Sequence, residues 1–359
     1  MGFFLGLNCV SKAAMSPFIG KKTWCRKSMT NNNGKKPNRI VQLSDAAPYV
    51  LPYLYPAELS AISLTCKTLH LLAKSVTAVR SSDACRNSEK LPIPFVNSAV
   101  DNHPYAYFIY TPTQVLSFSD DPPRQPWGLY PLQRRDLGLI LPPTLEDGAR
   151  CECERCGNDS AGCPCPCSRQ NFSGLRWECG SGCICDLECS NRVSQRGISI
   201  RLKIVRSPGK GWGLHAGQFI RSGEFICEYA GELLTTKEAR KRQEIYDKLK
   251  STNKHTSALL VVREHLPSGN TCMRINIDAT KIGNIARFIN HSCDGGNLST
   301  VLVRNSGALL PRVCFFASKD ILKDQELTFS YGDSGLNPNG SKCFCGTSCC
   351  TGIMPSEHT

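Results

Sequence analysis

The chain has 359 residues, enough for two or three domains, and its 41% hydrophobic content supports at least one sizeable core. A formal net charge of +13 points to an acidic partner, although thiolates on a metal would reduce it and charge balance alone is weak support for nucleic-acid contact. No run of about 18 apolar residues occurs, which excludes a membrane-spanning helix; Met1–Val10 lacks a charged start and Gly6 stands where a myristoylation signal needs Ser or Thr, so neither a secretory nor a lipid anchor is expected.

The first acidic residue is Asp45, after a stretch carrying Lys21, Lys22, Arg26, Lys27, Lys35 and Lys36. An acid-poor basic start suits an organelle transit peptide or a disordered tail that binds acidic partners, and residues 1–45 are read as the tail. Through 46–90, Leu51, Leu54, Leu59, Ile62, Leu69 and Leu72 recur at mostly helical spacings, and Pro56 suits a first helical turn. Leu51-Pro52, then Pro56-Ala57-Glu58-Leu59 and Ser63-Leu64-Thr65-Cys66-Lys67, resemble an F-box, which would bind a protein partner. A small helical pair covering the next domain is the plainer reading. Ten prolines between 91 and 143 disfavour regular helices, so 91–146 reads as an extended connecting segment with Tyr105–Tyr110 as its candidate strand.

Ten cysteines follow within 39 residues, from Cys151 to Cys189. Residues paired as Cys-x-Cys seldom meet disulfide geometry but reach one metal or two neighbouring ones, and without a secretory signal the reduced compartment favours metal. So few apolar residues lie in this block that bound metal must supply its folding energy. No His is present and no ligand position is left open for water, so the role is structural.

Beyond 194, short β-prone runs at Ile198–Val205, Phe225–Tyr229, Ala258–Val262, Met273–Ile277, Val301–Val303 and Val313–Ala317 predict a β-rich domain. Thr235–Lys250 is its one clear helix, capped by Thr235. Gly211-Trp212-Gly213 alone is a weak signal, since such turns are common, but its glycines let the backbone approach a ligand closely. After it come Glu228-Tyr229-Ala230-Gly231-Glu232, Arg287-Phe288-Ile289-Asn290-His291-Ser292-Cys293, Phe329-Ser330-Tyr331-Gly332 and Cys343-Phe344-Cys345-(four residues)-Cys350.

In that order, together with the cysteine block, these motifs resemble the SET-domain lysine methyltransferases. The block narrows the likeness, which covers 147–353, to the suppressor-of-variegation family that modifies histone H3, nearest its plant Su(var)-related branch. The resemblance implies a β-rich α+β fold. A pre-SET zinc cluster at 147–193 precedes a SET domain of short strands at 194–332, with a knot-like C-terminal segment and a post-SET zinc site at 333–359; a small, mainly helical region lies upstream. It implies S-adenosylmethionine-dependent methylation of histone H3, at lysine nine, in chromatin silencing in the nucleus. The H3 tail or nucleosome is the implied partner, and the basic tail is the candidate for indirect nucleic-acid contact.

The resemblance assigns S-adenosylmethionine to Lys210, Gly211, Trp212, Gly213, Tyr229, Arg287, Asn290 and His291, catalysis to Tyr331, and the substrate channel to Phe329 with Tyr331. Phe at 329 leaves more room than Tyr and implies addition beyond one methyl. Methyl transfer from a sulfonium needs an aligned, neutral lysine amine, which a dry apolar channel favours by desolvation. Three Zn²⁺ are implied on nine thiolates, three of them bridging: Cys151, Cys153, Cys156, Cys163, Cys165, Cys179, Cys183, Cys185 and Cys189. Cys167 is then spare, with Cys165 plus Cys167 as the alternative middle pair. A fourth zinc is implied on Cys293, Cys343, Cys345 and Cys350, leaving Cys349 off register. Two departures stand out: Ala258-Leu259-Leu260 where the family has Tyr-Leu-Phe, and Gly295-Gly296-Asn297 where it has Pro-Asn. The alternative reading is a zinc-bearing chromatin adaptor with weak or no catalysis, against which Tyr331 and Asn290 stand intact.

Overall fold

The first described elements are three helices: α1 (Leu43–Val50), α2 (Pro56–Ser63) and α3 (Lys67–Ser82). The computed structural model describes residues 43–99, 101–116, 124–129, 142, 151–153, 156, 165, 167, 175–250, 257–265, 272–332 and 341–355. Most of the basic tail and Cys163 lie outside these. Pro56 occupies the first turn of α2, where its missing N–H costs nothing, and the Glu58 carboxylate accepts the Tyr55 N–H at 2.8 Å. The apolar spacing is spent internally: Leu51, Leu59, Leu69, Ala73 and Val76 are buried together, with Leu54, Ile62 and Leu72 packed around them.

Arg80 joins these helices to the rest. Its guanidinium is fully buried and donates to the carbonyls of Trp127 (2.8 Å), Pro52 (3.1 Å) and Leu54 (2.9 Å) and to the Tyr105 hydroxyl (2.9 Å). The rings of Tyr105, Tyr107 and Trp127 stand 5.5–5.7 Å from it, so among the described residues this cation is held by dipoles and π faces.

The described parts of the proline-rich stretch contain no helix, and they do more than connect. Ile93, Phe95, Phe108, Tyr110 and Trp127 belong to the same core as Ile204, Leu214, Ile226, Ile277 and Phe315. Its short strands Phe95–Asn97, Ile109–Tyr110 and Val115–Leu116 add in parallel to Leu202–Ser207, Cys272–Gly283 and Gly231–Leu234 respectively. The strand expected over Tyr105–Tyr110 shrinks to Ile109–Tyr110, because Tyr105, Tyr107 and Phe108 pack their rings against Trp127 at 5.1–6.3 Å. The buried apolar residues of α1, α2 and α3 pack on one another, and Arg80 of α3 bonds to Tyr105 and Trp127 of the following segment.

The β-prone runs form small sheets. Leu202–Ser207 pairs with Gly211–Ala216; Cys272–Gly283 pairs with Gly231–Leu234 and Leu259–His265; Arg312–Ala317 lies between Leu298–Asn305 and Phe225–Glu228, with Leu175–Glu178 on the outer edge. Helix α4 (Thr236–Lys250) begins where Thr235 Oγ1 accepts the Glu238 N–H at 3.2 Å. It is pinned by Arg242, which donates to Glu232 (2.8 Å) and Asp278 (2.7 Å). Burial alone would raise the Asp278 pKa, but donors from Thr280, Tyr246 and Arg242 hold its carboxyl below the usual range.

Arg80→Ala should lower unfolding free energy by about 3 kcal/mol, because three carbonyls lose their donor in a dry site. Arg80→Lys should recover less than half, since an ammonium cannot span the fork. Urea unfolding of zinc-replete protein measures both.

Candidate functional site

The site forms where two distant segments lie side by side. Asn290–His291 follows a 3-10 turn (Ile285–Phe288) and pairs in parallel with Thr328–Phe329. The grip is extended on both sides: Ser292 N donates to Phe329 O and Asn297 N to Thr328 O, both at 3.0 Å, while the Asn297 side chain accepts from Thr328 N (3.0 Å) and donates to Glu326 O (2.9 Å). The 326–329 segment is thus held within the 290–297 loop, consistent with a knot-like crossing. Gly296 explains one departure: its φ is +76°, and a Cβ there would lie 2.3 Å from Thr328 O.

This pairing brings Phe329, Tyr331 and His291 together. Tyr331 N donates to His291 Nδ1 at 3.2 Å, which leaves the ring proton on Nε2, 3.3 Å from Cys293 Sγ. Burial holds the His291 pKa below its usual value, so the ring is neutral. The Tyr331 hydroxyl donates to Ile289 O at 2.7 Å, and burial, then the charge of Glu326, pushes its pKa well up. Its ring lies 4.9 Å from Phe329, which lies 4.7 Å from Phe315; Tyr229 is 6.4 Å from Phe315 on the other side. The buried Tyr229 hydroxyl donates to Ala258 O at 2.7 Å, a carbonyl that also accepts Ala279 N, so the other departure from the family pattern lies against this aromatic row.

Lys210, Trp212 and Gly213 meet Asn290 through a carboxylate. Glu326 accepts Lys210 Nζ at 2.5 Å and Asn290 Nδ2 at 2.8 Å, and Asn290 Nδ2 also reaches Trp212 O at 3.2 Å. Gly211 has φ +84° and open space where a Cβ would be. Arg287 packs over Phe108 (4.9 Å) and Phe288 (5.4 Å), and burial lowers its pKa to about 10. Its Nη1 is buried without a protein hydrogen-bond partner among the described residues. A cavity of about 210 Å³ opens between Lys210, Ser292, Asn297, Glu326, Thr328 and Cys345.

Sequence reasoning missed Glu326, Asn297 as a clamp, and Asn284. The Asn284 side chain caps the 285–288 turn by accepting Ala286 N (3.1 Å) and donates to Glu228 O (2.7 Å), tying the Arg287 turn to the Tyr229 strand. An Asn before a short turn is a recognisable cap, but its second partner lies 56 positions away and leaves no local signal.

The thiols converge as two sets. Cys293, Cys343, Cys345 and Cys350 place their sulfurs within 4.8 Å of one another, whereas Cys349 is exposed and outside the set. In the block, three overlapping quartets meet the same limit: Cys151, Cys153, Cys156 and Cys165; Cys151, Cys165, Cys167 and Cys179; Cys151, Cys156, Cys179 and Cys185. Cys167, expected to be spare, is buried inside the cluster with its sulfur 3.6 Å from Cys183. Cys165 and Cys167 both lie in the cluster, while Cys163 lies outside the described residues. Donors point at the sulfurs, Arg192 Nε at Cys185 (3.3 Å), Asn191 Nδ2 at Cys179 (3.4 Å) and Asn191 N at Cys189 (3.4 Å), as buried thiolates require.

Residues 211–332 match the SET domain family model. The histone-lysine N-methyltransferase SUVR3 of Arabidopsis thaliana is 55% identical over 333 residues, covering 87% of this chain and 91% of that protein. The H3 lysine-9 specific histone-lysine N-methyltransferase SUVH1 of Nicotiana tabacum is 30% identical over 287 residues, 76% of this chain and 37% of that protein. Among solved structures, KRYPTONITE in complex with mCHH DNA, an H3(1-15) peptide and SAH aligns with a TM-score of 0.54 at 25% identity, covering 76% of this chain and 53% of that one.

Gly296→Ala should cost at least about 2 kcal/mol, from left-handed strain plus displacement of the Thr328 backbone. Gly295→Ala, equally left-handed at φ +88° but with nothing near its Cβ, should cost about 1 kcal/mol. Equal losses in chemical denaturation would show that the crossing is not tightly packed.

Proposed function

The chain belongs to the SET-domain histone-lysine N-methyltransferases, and from that premise we propose that it methylates the histone H3 tail at lysine nine, on chromatin in the nucleus. The observation that carries the catalytic assignment is the Tyr331 hydroxyl, fixed on Ile289 O beside Phe329, two residues beyond the strand that pairs with Asn290–His291. The lysine-nine name of the tobacco relative and the H3 peptide in the KRYPTONITE complex support the substrate.

S-adenosylmethionine would supply a sulfonium-bound methyl group, and the residues fit it. Lys210, Gly211, Trp212, Gly213, Tyr229, Arg287, Asn290 and His291 would hold it: the left-handed turn at Gly211 is open, Lys210 borders a polar cavity, and Arg287 Nη1 is buried with no hydrogen-bond partner among the described residues, features expected of a site for a charged, zwitterionic ligand. The aromatic row of Tyr229, Phe315, Phe329 and Tyr331 offers the incoming lysine side chain an apolar lining, which favours its neutral amine. Tyr331 stays protonated at neutral pH, so it acts by orientation and not as a base; its donated proton is committed to Ile289 O, which leaves the phenol oxygen to accept from the amine. Phe329 brings no hydroxyl to bind a water or a partly methylated amine, which supports addition beyond one methyl.

The two thiol sets would hold structural zinc, three ions on Cys151, Cys153, Cys156, Cys165, Cys179, Cys183, Cys185, Cys189 and one of Cys163 and Cys167, and one ion on Cys293, Cys343, Cys345 and Cys350. These ions cross-link segments that have little apolar surface of their own. Residues 147–193, 194–332 and 333–359 then act as pre-SET, SET and post-SET parts.

Mass spectrometry of H3 peptides after incubation with the protein and S-adenosylmethionine tests activity, position and product number together; no product on any H3 peptide, with cofactor bound, would overturn the substrate. Tyr331→Phe should bind cofactor normally yet transfer methyl at least tenfold more slowly, about 1.4 kcal/mol in barrier. Cys293→Ser should lose one zinc and most activity while the Cys151–Cys189 block and the fold persist, as read by metal analysis, thermal unfolding and methylation on one preparation. Full activity without that zinc would make the C-terminal site a structural appendage.

A further inference from the structure

Most of the residues assigned to the cofactor sit on two segments, the Lys210–Gly213 turn and the Asn290–His291 strand, that are 78 positions apart at their Trp212–Asn290 contact. One side chain ties them together. Glu326 takes Lys210 Nζ on Oε2 at 2.5 Å and Asn290 Nδ2 on Oε1 at 2.8 Å, so each carboxylate oxygen serves a different segment. Its backbone is fixed as well: Glu326 O accepts Asn297 Nδ2 at 2.9 Å, and the flanking Gln325 O and Leu327 N bond to Ala216 and Leu214.

Gly213 gives this arrangement its signature. A Cβ there would lie 2.7 Å from Glu326 Oε1 and 3.0 Å from Asn290 Nδ2. The second glycine of the Gly-x-Gly turn is therefore needed for the carboxylate–amide pair to pass behind the strand, whereas Gly211 faces open space. Lys210 likewise has its ammonium engaged by Glu326, which makes it a brace for the turn.

We infer that Glu326 is a positioning residue that locks the Lys210–Gly213 turn and Asn290 into one preorganised cradle, with Gly213 as the clearance that permits the lock. This role rests on the assignment of S-adenosylmethionine to these two segments. Without the carboxylate, the Asn290 amide keeps only Trp212 O at 3.2 Å, and the two halves of the cradle lose their common anchor. Binding then carries the cost of ordering them.

The test measures S-adenosylmethionine and sinefungin affinity by calorimetry on the full chain, with zinc content and melting temperature on the same samples. Glu326→Ala should weaken both ligands about 30-fold, the scale of losing charge-assisted hydrogen bonds, with zinc content unchanged. Glu326→Gln, which keeps an acceptor for Asn290, should recover affinity to within about fivefold of the parent. In kinetics, KM for S-adenosylmethionine should rise while kcat at saturation changes less than about threefold. Gly213→Ala should reproduce the affinity loss with Glu326 present, and the double variant Gly213→Ala/Glu326→Ala should be no worse than either alone, since both break one contact. Parental affinity in Glu326→Ala, or fully additive losses in the double variant, would overturn the lock. A parent that binds neither ligand would instead overturn the cofactor assignment itself.

Discussion

Two residues of parallel pairing, Asn290–His291 against Thr328–Phe329, organise everything at the site. Such a short ladder has no stability of its own. It persists because Asn297 bonds the same strand from the other side through both its backbone and its amide, and because Gly296 lets the backbones approach more closely than any side chain would allow. From that one crossing follow the neutral tautomer of His291, set by Tyr331 N, the placement of the Tyr331 hydroxyl on Ile289 O, and the stacking of Phe329 between Phe315 and Tyr331.

The cysteine block is coupled to this region through buried charge. Glu178 directly precedes the cluster residue Cys179, and Glu228 directly precedes Tyr229. Arg312 reaches both, at 3.3 and 3.2 Å, and adds Ser194 (2.6 Å) and Asn305 (2.7 Å). Glu228 also accepts Thr113 Oγ1 (3.0 Å) and Gln114 N (3.1 Å) from the upstream segment. Buried ion pairs of this kind give little net stability, because desolvation offsets the attraction, yet removing one member leaves an uncompensated charge. Their effect here is registration: the metal cluster, the aromatic row and the upstream segment are held to a common reference by groups that tolerate no other partner.

Upstream, buried cations are held mainly by carbonyl oxygens and aromatic rings. Arg80 and Arg86 are both buried among Tyr105, Tyr107 and Trp127, and burial lowers the Arg86 pKa to about 9. Phe108, in that group, also carries the Arg287 guanidinium, so the upstream region forms one wall beneath the candidate cofactor residues. Its aromatic rings are spent on this wall, which is why little strand survives between Tyr105 and Tyr110.

Local signals in the sequence were sufficient for whatever depends on near neighbours. Cys-x-Cys spacing marked the thiol clusters, β-branched runs marked the strands, Thr235 marked the start of α4, and the ordered motifs from Gly211 to Cys350 marked the family, because each is a pattern of residues adjacent in the chain. Spacing could not choose between Cys163 and Cys167, since both reach a middle position; of the two, Cys167 is among the described residues and lies beside the Cys183 sulfur. Nor could it find Glu326, Asn284 or the clearance at Gly213, whose partners lie 36 to 116 positions away. A carboxylate beside a strand looks the same in sequence whether it faces water or joins two halves of a site; that distinction is made by the chain crossing, which brings distant backbones within hydrogen-bonding reach and leaves room for no Cβ between them.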